Sequence, residues 1–83
     1  MVKEKRTFRM SPNPTTDISI LSVDIVSENL NVRILDFVGR EMSKVKLNGS
    51  SLVLRKGELG SGIFQCILED GDDVVGIQQL MIL

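Results

Sequence analysis

Apolar residues in this chain recur at every second position in short runs, and each run is soon stopped by residues that favour turns. That rhythm is the strongest constraint on the fold. A period of two puts alternate side chains on opposite faces of a strand, whereas a helix needs a sustained period near 3.6, which no stretch shows. Leu30, Val32 and Ile34 alternate with Asn31 and Arg33, and Phe64, Cys66 and Leu68 alternate with Gln65 and Ile67. Both read as half-buried strands.

The punctuation divides the chain further. A first strand is predicted over residues 7–10. Ser11-Pro12-Asn13-Pro14 stops it, because proline lacks an N–H and drives its predecessor towards extended geometry. Thr15, Thr16 and Asp17 bond back to local backbone and lead into the next strand. There Ile18 and Ile20 share one parity, while Leu21, Val23 and Ile25 share the other, which predicts a bulge or bend after Ile20. Asp36-Phe37-Val38-Gly39 has the ends of a type I turn, and a strand over residues 40–47 follows. Asn48-Gly49 predicts a type I′ hairpin folding residues 50–55 back onto 43–47. Residues 56–62 read as a glycine-rich loop, and Asp70-Gly71-Asp72-Asp73 turns the chain into a last strand reaching Leu83. About seven short strands with frequent turns predict an all-β, immunoglobulin-like antiparallel sandwich.

Eighty-three residues make one domain with a modest core. The formal charge of −1 lacks the basic surplus that phosphate neutralisation requires, so no nucleic-acid partner is expected. There is no histidine, and Cys66 is the one cysteine. An internal disulfide, a thiolate metal cluster and a Cys–His nucleophile are therefore excluded, and no catalytic residue, metal, cofactor or small-molecule substrate is expected. Trp and Tyr are absent, which disfavours a sugar-binding surface, and the three Phe fall to the core or to turns. No run approaches the roughly 20 apolar residues of a membrane-spanning helix, and the charged start is not a signal peptide. The chain is therefore expected to stay in the cell or to be a piece of a longer precursor.

Three motifs stand in order: Ser11-Pro12-Asn13-Pro14-Thr15-Thr16-Asp17, Val32-Arg33-Ile34-Leu35-Asp36-Phe37-Val38-Gly39-Arg40, and Leu59-Gly60-Ser61-Gly62-Ile63-Phe64. Together they resemble the type A C-terminal sorting domain of cargo exported by the type IX (Por) secretion system of Bacteroidetes. The resemblance covers residues 8–83 and leaves 1–7 as a linker or an expression remnant. It departs from the family at Ser11, where an aromatic residue is common, at Phe64, where Tyr is usual, and in a last strand without lysine. The resemblance implies a non-catalytic export address carried by a larger passenger to the cell surface by way of the periplasm. It also implies two partners, an outer-membrane translocon and a sortase-like peptidase. A structural or adhesive module of a surface protein is the alternative.

Candidate recognition residues are Pro12, Asn13, Pro14, Gly39, Arg40, Gly62, Leu80, Met81, Ile82 and Leu83. Pro12-Asn13-Pro14 reads first as a rigid connector, with a recognition contact as the alternative. Gly39 and Gly62 read as positions that need glycine's backbone freedom. Arg40 either lays its stem on apolar surface with the guanidinium in water or offers a fork to a partner's carboxylate. Leu59 is expected to plug one end of the sandwich, and Cys66 to be a small buried hydrophobe. The acidic run at 69–73 reads as a solvated hairpin tip, not a calcium loop. The last strand is expected at a sheet edge, with unpaired backbone groups and an undefended apolar end at residues 80–83. Such an edge invites docking or strand-edge self-association.

Overall fold

A computed structural model describes residues 7–24 and 27–83 of the chain. Ile25 and residues 1–6 of the expected linker lie outside the described residues. The strands are β1 (Phe8–Ser11), β2 (Ile18–Val23), β3 (Leu30–Leu35), β4 (Glu41–Lys46), β5 (Ser51–Arg55), β6 (Gly62–Asp70) and β7 (Asp73–Ile82). A one-turn helix, α1 (Lys56–Leu59), interrupts what the glycines predicted as loop. The strands form two antiparallel sheets, ordered β1-β2-β5 and β4-β3-β6-β7. This is the immunoglobulin-like sandwich that the alternation predicted.

The alternation also explains the core. Leu30, Val32 and Ile34 on β3, with Phe64, Cys66 and Leu68 on β6, line the inner face of the larger sheet. Phe8, Met10, Leu21, Val23 and Leu54 line the inner face of the smaller one, and Leu59 packs at the margin of the cluster. Each fully buried leucine, isoleucine or phenylalanine contributes about 1.5–3 kcal/mol of transfer free energy. Cys66 has no exposure, and burial in apolar surroundings pushes its thiol up to about 12, so it is protonated and inert near neutrality.

Three expectations need correction. β2 carries no bulge after Ile20, since its register runs unbroken against both β1 and β5. Leu21 and Val23 set the inward parity and draw Ser19 inside with them, while Ile18 and Ile20 stay on the outer face, 36% and 42% exposed. The Ser19 hydroxyl is fully buried without a hydrogen-bond partner. The Asn48-Gly49 hairpin does not form. Only Gly49 has positive φ, and buried Leu47 anchors the chain so that it crosses between sheets. β5 then pairs with β2, where Leu52 and Leu54 lie opposite Leu21 and Ser19. The real two-residue hairpin turn is Gly71-Asp72 between β6 and β7. Gly71 there has positive φ and Asp72 does not, as a type II′ turn requires.

The third correction concerns β7. It does lie at the edge of its sheet, hydrogen-bonded to β6 alone among the strands. Its final residues are not bare, however. Residues 13–15 run beside them and satisfy their outward backbone groups, with a parallel bridge between Thr15 and Ile82. The edge is defended by a segment from the far end of the sequence, which alternation alone does not reveal.

Candidate recognition surface

Asn13 is the centre of that defence. Its side-chain amide donates to the Gln79 carbonyl at 2.7 Å, and its side-chain oxygen accepts from the Met81 N–H at 3.0 Å. A single side chain thus imitates the donor–acceptor pair of a neighbouring strand. Thr15 continues the imitation with its backbone: its N–H donates to Met81 O at 3.0 Å, and its carbonyl accepts from Leu83 N–H at 2.8 Å. Thr15 is itself buried, and its hydroxyl bonds Ile18 O. Pro12 and Pro14, both exposed, flank Asn13 and offer no N–H of their own to compete for these acceptors.

The second motif builds a rigid turn. The Asp36 carboxylate accepts from the backbone N–H of Val38 at 3.0 Å and of Arg40 at 2.8 Å, and from Arg40 Nε at 2.7 Å. Two backbone bonds close the loop, from Gly39 N–H to Asp36 O and from Asp36 N–H to Arg40 O. Gly39 has φ of +88°, a conformation open to glycine at little cost. Asp36 is 13% exposed. Burial raises its carboxyl pKa, but the Arg40 backbone N–H, the guanidinium's hydrogen bond and charge, and the Val38 N–H outweigh it and hold the group below its ordinary value. Arg40 is held at the turn by Asp36 through its Nε, while its side chain stays 77% exposed. The side chains of Phe37 and Val38 take no part in these bonds and project into solvent.

The third motif meets the other two. Gly62 opens β6 in a left-handed conformation, φ +142°, and a Cβ there would touch the Phe64 ring at 3.9 Å. The ring is buried and packs as a core residue, so the hydroxyl of a tyrosine is not needed for that role. Ser61 Oγ donates to Leu83 O at 3.4 Å. Asp36, Phe37 and Val38 line one shallow hollow with Arg40 and residues 61–63, and another with Gly39, Ile63, Gln65 and Gln79. Segments 12–15, 36–40, 61–65 and 79–83 thus gather at one end of the four-stranded sheet. Of the last strand's residues, Leu80 and Ile82 point into the core, while Met81 and Leu83 are exposed. Leu80 and Ile82 serve the fold.

Gln79, Thr15 and the exposed pair Phe37–Val38 escaped sequence reasoning as members of this surface. A signal for the pair was present, because apolar residues at the centre of a turn cannot also reach a core. Nothing local announced Gln79 or Thr15. Among the described residues no helix is long and apolar enough to cross a membrane, and no group of three or more potential ligands is arranged to hold a metal ion.

No curated protein matches the chain significantly. The family of secretion system C-terminal sorting domains does match, over residues 9–83, and so takes in all three motifs. The match favours the sorting reading over that of a structural or adhesive module. The chain belongs to this family: it is a type IX C-terminal sorting domain, a signal marking proteins that are secreted or attached to the cell surface through the secretion machinery.

Proposed function

We propose that residues 8–83 act as a non-catalytic address read in the folded state, and that the reader contacts the end of the four-stranded sheet where the three motifs meet. The receiving partners in this reading are an outer-membrane translocon and a sortase-like peptidase that removes the domain ahead of residue 8. One observation carries the proposal: Asn13 joins the first motif to the last strand by side-chain bonds to Gln79 and Met81. A connector needs no such long-range bonds. They fix the relative positions of segments that lie far apart in sequence. Gln79, Met81, Leu83, Pro12, Pro14 and the turn at Arg40 then form one composite surface.

Site-specific photo-crosslinking tests this. A crosslinker at position 81, carried by the chain on its passenger in cells with the secretion system, is expected to capture an outer-membrane component. A crosslinker at Val53, exposed on the opposite sheet, is expected to capture none. Equal capture from both positions would refute a localised reading surface.

A further inference from the structure

We propose that Phe37 and Val38 form an apolar anchor that inserts into a hydrophobic pocket on the protein that receives this domain, an inference that rests on the sorting function and on the reading surface above. Phe37 is 82% exposed and Val38 73%. Single exposed apolar residues are ordinary on protein surfaces. These two are adjacent and stand at the tip of a turn whose hydrogen bonds owe nothing to their side chains. The bonds that hold residues 36–40 in place come from Asp36, Gly39, Arg40 and the Val38 backbone N–H, and none comes from the Phe37 or Val38 side chain. The fold therefore has no use for a phenyl ring there, and serine would serve the turn equally well.

The chemistry selects the partner. The Asp36 carboxylate is already matched by Arg40 Nε at 2.7 Å, so beyond the exposed Arg40 guanidinium the tip carries no unmatched charge. What remains is a convex apolar knob, which fits a concave apolar pocket. Hollows of about 460 Å³ and 200 Å³ lie on either side of the knob and leave room for the rim of such a pocket. Because the turn is already ordered, insertion loses little backbone entropy, the circumstance in which an aromatic residue serves as a hot spot. Two side chains bury far less than the roughly 1,200 Å² of a stable interface, so the knob anchors a larger contact. The edge of β7 points the same way. With residues 79–83 already paired to residues 13–15, an incoming strand would have to displace the four hydrogen bonds there, so side-chain docking is the open route.

The test is export of a fluorescent reporter carrying the whole chain at its C-terminus, in a cell with the secretion system. Surface delivery of the Phe37→Ser, Val38→Ser double variant should fall about tenfold or more, as truncating an anchor does. Its melting temperature should be unchanged, and Phe37→Leu with Val38→Ile should restore delivery. Normal delivery of the serine variant, while a reporter lacking the chain stays in the periplasm, overturns the anchor and leaves the sorting function intact. Delivery of the reporter lacking the chain refutes the sorting reading and the anchor with it. Flotation of the purified chain with phosphatidylethanolamine–phosphatidylglycerol vesicles, abolished in the serine variant, would make the target a bilayer and also overturn the proposal.

Discussion

At the residue scale, two polar side chains do work that hydrophobic patterning does not show. Asn13 replaces a strand partner for Gln79 and Met81, in bonds open to water. Asn13→Ala should therefore cost about 1 kcal/mol, near the lower end for lost hydrogen bonds, or about 5 °C in melting temperature at this size. Asn13→Asp keeps the acceptor for Met81 N–H and loses the donor for Gln79 O, so its melting curve should fall between the two. Asp36 predicts a pH dependence. Its folded pKa lies below the ordinary 3.8, so its contribution to stability is fully present above that value. The contribution is lost as pH falls below 3.8 through the folded value. An Asp36 carboxyl resonance titrating below 3.8 by NMR, with acid sensitivity reduced in Asp36→Asn, would bear this out. The Asp-x-x-Gly-Arg spacing was legible as a turn from glycine and aspartate alone. The role of Arg40 was not, because an arginine's partner depends on where a flexible side chain comes to rest.

At the scale of elements, alternation located the strands, and pairing was harder to read. β3 and β6 were legible because one parity is apolar and the other polar. β2 was not, because both of its parities carry isoleucine, leucine or valine, and the inward one also holds Ser19. Removing that buried, partnerless hydroxyl by Ser19→Ala should leave stability unchanged or raise it by about 1 kcal/mol. A clear loss in denaturant unfolding would show that the hydroxyl is satisfied in solution. Asn48-Gly49 misled for a related reason: turn residues permit a hairpin, but buried Leu47 and the open flank of β2 decide where β5 goes. The closed edge of β7 makes its own prediction. The amides of Met81 and Leu83 should exchange slowly with solvent although they face away from β6, and Asn13→Ala should speed exchange at Met81 about tenfold. Fast exchange at both positions in the unmodified chain would mean that residues 13–15 do not hold the strand.

At the scale of the whole molecule, the near-neutral charge and the lack of histidine pointed away from nucleic acid and from histidine-based catalysis, and the motifs pointed to a sorting signal. Their meeting at one end of one sheet was beyond the sequence, since residues 13 and 79 touch only after seven strands have been placed. The most direct measurement compares surface delivery of a reporter bearing two variant pairs, each with a melting curve to establish folding. Gln79→Glu with Met81→Glu alters the outer face of β7 at the motif-bearing end. Ile20→Glu with Val53→Glu alters the exposed face of the other sheet. The first pair is predicted to hold the reporter in the periplasm and the second to let it reach the surface, while equal delivery of the two, or the reverse order, would contradict the account.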